Sequence, residues 1–250
     1  MTKLSIIGIG RLGLCFGLTL EKCGYDVVGV DINADYVGSL NNKEFISDEE
    51  GVTEHLQASS NFRATTNLKE AVVHSDVLFV IVATPSLENG RYDHSQVESL
   101  IATLEGLARH GQPKHFVVCC TTMPGYCESI RPRLEALNYT VSYNPEFIAQ
   151  GTILKNQSTP DMVLIGEGSE AAGSILQEIY EKHTENTPRI ARMSPTEAEI
   201  TKIALNCFLT TKIAYANMVG DIVLRAGGTP ATVLEAIGAD TKIGSKYLRY

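Results

Sequence analysis

Three glycines in the pattern Gly8-x-Gly10-x-x-Gly13, with Asp31 following 18 residues after the last, are the part of this 250-residue chain best suited to chemistry. They lie in LSIIGIGRLGLCFGLTLEKCGYDVVGVD, where an apolar strand, a glycine turn, an apolar-striped helix and a second strand succeed one another. Gly8 permits the tight turn, Gly10 lets backbone approach a pyrophosphate, and Gly13 allows close helix–strand packing. Phosphates would rest on the helix N-terminus, where unpaired N–H groups and the positive end of the dipole favour an anion without a basic side chain. Asp31, at the tip of the second strand, can accept hydrogen bonds from ribose hydroxyls and would repel a 2′-phosphate. The turn residues Gly8, Ile9, Gly10, Arg11, Leu12 and Gly13, with Asp31, are therefore expected to bind NAD rather than NADP.

Further candidates follow other strand-like runs. DVLFVIV leads into Ala83-Thr84-Pro85-Ser86, HFVVCC into Thr121-Thr122-Met123-Pro124-Gly125, and YTVSY into Asn144-Pro145-Glu146-Phe147. Each loop sets a hydroxyl, amide or carboxylate beside a proline that stiffens the turn, although Thr and Pro also simply end strands. Lys202 and Asn206 stand four apart in EAEITKIALNCFL, so both heads project from one helix face. A partly desolvated Lys there could steady an oxyanion or carry a proton; the plainer reading is a solvated surface lysine. The histidines His55, His74, His94, His110, His115 and His183 fall in loops or at element ends without a Ser or Cys partner signature, so surface placement is expected. The six cysteines include no CxxC pair with a second ligand pair, so no metal site is expected.

Strand-like runs alternate with helical spacing or caps from KLSIIGIG to DMVLIG, which predicts an α/β fold with a doubly wound, Rossmann-type, mostly parallel sheet. Helices are expected at 33–40, 67–74, 93–109 and 169–183, a short strand at 189–193, and a loop with one short helix at 43–60. Ser194-Pro195-Thr196-Glu197 is a helix-start signature. It opens a long central helix running to about Arg225, followed by a short one in TPATVLEAIGAD. The expected organisation is a cofactor-binding domain at 1–193 and a helical region at 194–250. A net charge of −8 with scattered Lys and Arg argues against nucleic acid. The longest continuous apolar runs are strand-length, so no membrane segment is expected. Free cysteines without a secretory leader suggest a reduced, cytoplasmic protein.

Together these segments resemble the UDP-glucose/GDP-mannose dehydrogenase family, especially its UDP-glucose 6-dehydrogenases, over essentially the whole chain. The carrying motifs are GIGRLG at 8–13, VDIN at 30–33, VATPS at 82–86, TTMPG at 121–125, YNPEFIAQGT at 143–152, TPDMVLIG at 159–166 and EAEITKIALNCFLTTKI at 197–213. The resemblance implies that Ala83, Thr84, Pro85, Thr121, Thr122 and Gln150 approach the cofactor. It also implies that Glu146 works with Thr122 through a water as acid and base, that Lys202 and Asn206 steady an oxygen that becomes anionic, and that Glu146, Phe147, Ile148, Lys202 and Asn206 touch the substrate. The implied reaction oxidises a nucleotide sugar, UDP-glucose first among them, at C6 with NAD. The implied assembly is a homodimer built on the long helix.

Departures accompany the likeness. Gln150 stands where relatives carry a second glutamate, Arg11 replaces a tyrosine, and Met218 follows Asn217 where glutamate is common. The family's second oxidation uses a cysteine in a GFGGxCFPKD-type loop, and none of the six cysteines here has such surroundings. These 250 residues alone are thus expected to bind NAD without completing acid formation. Two other readings are a β-hydroxyacid-type dehydrogenase, which needs no cysteine, and a non-catalytic NAD-binding or dimerisation module.

Overall fold

The apolar runs pair into one sheet in a computed structural model that describes every residue except 108, 149 and 150. Its strands are β1 (Lys3–Ile7), β2 (Asp26–Val30), β3 (Phe62–Thr65), β4 (Val77–Val80), β5 (Lys114–Val118), β6 (Tyr139–Tyr143), β7 (Met162–Gly166) and β8 (Arg189–Met193). Their spatial order is β3-β2-β1-β4-β5-β6-β7-β8. Every neighbouring pair is parallel except β6 and β7, which meet antiparallel at Tyr143 and Gly166.

The helices are α1 (Arg11–Lys22), α2 (Ala34–Asn41), α3 (Val52–Ala58), α4 (Leu68–His74), α5 (Ser95–Glu105), α6 (Tyr126–Ala136), α7 (Ile153–Ser158), α8 (Glu170–His183), α9 (Pro195–Arg225) and α10 (Pro230–Gly238). Because helices cover both faces, successive strand residues enter opposite cores. Phe79, Val117 and Ile165 join Phe16 and Leu176 on one side. Leu78, Val80, Phe116, Val118 and Leu164 join Ile101 and Leu134 on the other. The expected doubly wound sheet and long central helix are both present.

Capping chemistry sets several helix starts. Asn33 accepts from Tyr36 N–H at 3.1 Å, and Ser169 from Ala172 N–H at 3.2 Å. Before α9, Ser194 N–H donates to Glu197 at 2.9 Å while Glu197 N–H reaches Ser194 Oγ at 3.4 Å, a reciprocal capping box. The chain divides into two compact units, Met1–Ile200 and Thr201–Tyr250. Within the second, Ala216 packs with Leu234 and Leu248, and Lys212 donates to Ile243 O at 3.0 Å. Phe208, Tyr215, Met218 and Ile222 of α9 are exposed at helical spacing. Among the described residues α9 is one helix long and apolar enough to cross a membrane by length and composition, although its apolar positions are interrupted and form no continuous run.

Surface placement fails for His183, which ends α8 and is buried. Neither ring nitrogen has a hydrogen-bond partner among the described residues, and the ring lies edge-on to Phe16 at 5.4 Å. The sequence pattern marks the polar end of a helix but not the aromatic wall it meets. Burial pushes the imidazole down to about 4 from its ordinary 6.5. Between those values the unfolded chain takes a proton that the folded chain refuses, so stability falls as pH drops through that window, by up to about 3 kcal/mol. Urea unfolding of wild type and His183→Phe at pH 7 and pH 4.5 tests this. The variant should lose less stability on acidification, and equal losses would contradict the assignment.

Candidate active site

Parallel strands gather their functional loops at their carboxyl ends, and here β1 is flanked by β2 on one side and β4 on the other, the place where the winding reverses. The glycine turn lies there. Gly8 has φ of +91°, and a Cβ on it would sit 2.5 Å from Ile81 O. A Cβ on Gly13 would sit 2.0 Å from Gly8 O, whereas one on Gly10 would meet nothing within 4 Å. The first and third glycines are thus sterically required, and the second leaves room for a ligand. Ile9 is buried and Leu12 packs on the core, so both act on the turn by holding it. Tyr36 Oη donates to Ile9 O at 2.8 Å and steadies it further.

No side chain caps α1, which leaves its N-terminal amides to an anion. Arg11 stands beside them, half-exposed, 3.5 Å from Glu49. At the end of β2, Asp31 Oδ1 accepts from Asn33 N–H at 3.0 Å and keeps Oδ2 for another donor. Ile32 next to it is 98% exposed, an apolar surface beside that carboxylate. Backbone amides, open space at Gly10 and a ribose acceptor together fit NAD.

The loop after β4 presents Ala83, Thr84 and Pro85, with Thr84 half-buried. After β5, Thr121 is half-buried and Thr122 fully buried. Thr122 Oγ1 donates to Glu199 Oε1 at 2.9 Å. Glu199 Oε1 also accepts Cys127 N–H at 2.9 Å, and Oε2 accepts Gly125 N–H at 2.6 Å. The Glu199 carboxylate therefore caps α6 from another helix, since Gly125, with φ of +87°, has no side chain to do so. Burying a charge costs several kcal/mol. Three charge-assisted bonds, each about 1.5–3 kcal/mol, offset that. Glu199 was missed in the sequence, although it lies three residues before Lys202 and seven before Asn206, on the same helical face.

The turn after β6 is fixed from inside. Asn144 Nδ2 donates to Leu164 O at 2.9 Å, and its Oδ1 accepts from Tyr180 Oη at 2.8 Å. Pro145 is buried, Phe147 packs into one core and Ile148 into the other, so Glu146, between Pro145 and Phe147, is held half-buried. Because β4, β5 and β6 are adjacent, with strands about 4.8 Å apart, Thr84, Thr122 and Glu146 share one rim of the sheet. Gln150 lies outside the described residues. Just after it, Gly151 N–H donates to buried Glu49 at 3.0 Å and Ile153 N–H does so at 3.5 Å. Glu49 therefore ties this segment to Arg11 of the glycine turn, a role hidden in a polar stretch without periodicity.

Lys202 and Asn206 belong to the second unit. Lys202 is buried and Asn206 half-buried, four residues apart on one face of α9, so the plain reading of a solvated lysine does not hold. Among the cysteines, burial pushes the Cys15 and Cys120 thiols up to about 12. Cys119 is also pushed well up, through burial and the nearby Glu146 charge, and Cys127 through burial and Glu199. These thiols are poor nucleophiles. Cys23 is raised by burial, and Cys207 is exposed. Among the described residues no group of three or more His, Cys, Asp or Glu could hold a metal ion.

Comparison with known proteins agrees with this geometry. Residues 2–184 match the NAD binding domain of the UDP-glucose/GDP-mannose dehydrogenase family, and residues 196–250 match its central domain. UDP-glucose 6-dehydrogenase AglM of Haloferax volcanii is 34% identical over 98% of this chain and 60% of its own length. GDP-mannose 6-dehydrogenase of Pseudomonas syringae pv. tomato is 32% identical over 95% of this chain and 56% of its own. Among solved structures, a UDP-glucose dehydrogenase from Pyrobaculum islandicum superposes with a TM-score of 0.91 at 33% identity, covering 99% of this chain and 59% of that one. The chain thus spans about three-fifths of the length of these relatives. With both matching segments in order and the glycine turn, threonine loops and Asn-Pro-Glu-Phe turn in place along one rim, the chain belongs to the UDP-glucose/GDP-mannose dehydrogenase family, whose NAD-binding domain it carries.

Proposed function

We propose that the chain carries the cofactor-binding and acid–base part of a nucleotide-sugar dehydrogenase that oxidises a sugar C6 alcohol, with UDP-glucose the first candidate substrate and UDP-glucuronate the product. The observation that carries the reading is the shared rim of Thr84, Thr122 and Glu146 beside a glycine turn fitted for a pyrophosphate. Gly8 to Gly13 and Asp31 hold the cofactor's phosphates and ribose, and Ala83 to Pro85, Thr121, Thr122 and Gln150 approach its nicotinamide end. Bound NAD supplies the hydride acceptor. Glu146, acting through a water shared with Thr122, takes the alcohol proton, and Lys202 with Asn206 steadies the oxygen that turns anionic. Phe147 and Ile148 line the substrate side of that turn.

The family's second oxidation passes through a thiohemiacetal on a cysteine. Burial raises the thiols of Cys15, Cys23, Cys119, Cys120 and Cys127, and exposed Cys207 lacks the glycine- and phenylalanine-rich surroundings of the family's loop, so none of the six suits that step. The exposed stripe of Phe208, Tyr215, Met218 and Ile222 suits a second copy of the chain, giving a homodimer through α9 rather than a membrane contact. Six free thiols suit a cytoplasmic setting.

Calorimetric titration tests the cofactor assignment. Asp31→Ala should weaken NAD binding about tenfold while sparing NADP, because it removes a ribose acceptor and a charge that repels the 2′-phosphate. Equal effects on both cofactors would contradict it. Turnover tests the reaction: the protein as encoded, given NAD, should form NADH and UDP-glucuronate from UDP-glucose, and Lys202→Ala should lower kcat about 100- to 1,000-fold. Oxidation of GDP-mannose alone would move the substrate, and NADH from neither sugar would leave a binding module. Acid formed by these 250 residues alone would overturn the cysteine assignment. Sedimentation of Met218→Lys/Ile222→Asp should find monomers where wild type is dimeric, and an unchanged dimer would place the interface elsewhere.

A further inference from the structure

Glu199 stands at the base of α9, fully buried, and its carboxylate accepts from Thr122 and Gly125 of the loop after β5 and from Cys127 in the first turn of α6. Backbone N–H groups can only donate, so Gly125 and Cys127 fix both carboxylate oxygens as acceptors. Thr122 shares Oε1 with the Cys127 N–H, and its hydroxyl must donate there too. A hydroxyl has one proton. With that proton committed to Glu199, Thr122 has only lone pairs to offer the other side.

We propose, resting on the dehydrogenase reading above, that Glu199 is a positioning residue that turns Thr122 into a pure hydrogen-bond acceptor. A water held between Thr122 and Glu146 then faces two acceptors and must donate one proton to each. Its own lone pair is left pointing outward, toward the substrate hydroxyl. In the oxidation, the C6 hydroxyl proton passes to that water while the water's proton passes to Glu146. The C6 hydride leaves to NAD, so the alcohol loses two electrons, the cofactor gains them and the proton ends on the carboxylate. Were Thr122 free to donate, the water could turn over and spend its lone pair on the threonine instead. Glu199 thereby selects the water orientation that accepts a proton.

The test is a double-mutant cycle in the protein as encoded, assayed with NAD and whichever nucleotide sugar it oxidises. Glu199→Gln should lower kcat about 10- to 100-fold with KM and NAD affinity near wild type. Thr122→Val should show a similar loss, Thr122→Ser should restore most of the rate, and Glu199→Gln/Thr122→Val should be no slower than Thr122→Val. Losses that multiply in the double variant, or a Glu199→Gln enzyme as fast as wild type, would reduce Glu199 to a cap of α6 and overturn the proposal. A Thr122→Val enzyme at full speed would instead overturn the acid–base reading on which it rests. Should Glu199→Gln fail to fold, NMR of the wild type decides: the Thr122 hydroxyl proton should be protected from solvent exchange and show contacts to Glu199, and a rapidly exchanging one would refute the proposal.

Discussion

The structure depends on a backbone contact between Gly8 and Gly13. A methyl on Gly13 would lie 2.0 Å from Gly8 O, and one on Gly8 would lie 2.5 Å from Ile81 O, so β1, the start of α1 and the end of β4 converge where no side chain fits. That convergence brings the α1 amides to the point where the sheet's winding reverses and opens the crevice beside Gly10. Gly8 N–H donates to Val30 O at 2.8 Å, so the same turn fixes the end of β2 and with it Asp31. A bulkier residue at either glycine would displace three strand ends together, which is why one short pattern determines so much of the site.

Elsewhere along the rim, buried acids do the fastening. Glu199 ties the loop after β5, and Glu49 the segment after the Asn-Pro-Glu-Phe turn. Both are nearly inaccessible to water and both face backbone N–H groups. Loops that carry chemistry leave amides without strand or helix partners, and a carboxylate brought from a distant segment satisfies two of them at once. Such fastening is stiffer than a loop's own turn hydrogen bonds, because breaking it exposes both an amide and an uncompensated charge. It holds Thr122 still through the hydroxyl proton and leaves the oxygen's lone pairs to the rim.

Much of this was legible in the sequence, for physical reasons that differ from part to part. Strands with apolar residues on both faces read as continuous runs, and caps such as Asn33, Ser169 and the Ser194–Glu197 box declare their helices. The short β3, FRAT, carries an exposed arginine and too few apolar positions to stand out. Helix α6 was hidden by Pro132 in its interior, and α7 by having only six residues. Thr122 and Glu146 stand out in the sequence because they belong to compact motifs. Glu199 and Glu49 do not, because the backbone amides they bind lie 74 and 102 residues away, at Gly125 and Gly151, and backbone atoms leave no pattern in the sequence. His183 was misjudged for the same reason, since a wall built from Phe16 is invisible from the end of α8.

Charge poses the remaining question, because a protein of net charge −8 is proposed to bind two anionic ligands. Over distances beyond about 8–10 Å physiological salt screens that repulsion, so the groups at the rim decide the outcome. There the acids do not act as bare charges. Glu49 is offset by two amides and Arg11, and Glu199 by two amides and a hydroxyl, while the α1 amides remain uncapped and point outward. The local field is therefore set by donors, even though the sequence around the site is rich in carboxylates. Arg11 strengthens this balance in particular. Standing at the first position of α1, it sets a guanidinium donor beside the partial positive charge of the helix, and its pairing with Glu49 offsets that carboxylate and keeps the guanidinium beside the crevice. The turn thus offers an anion a side-chain donor as well as backbone ones, which suits a glycine loop set in an acidic protein.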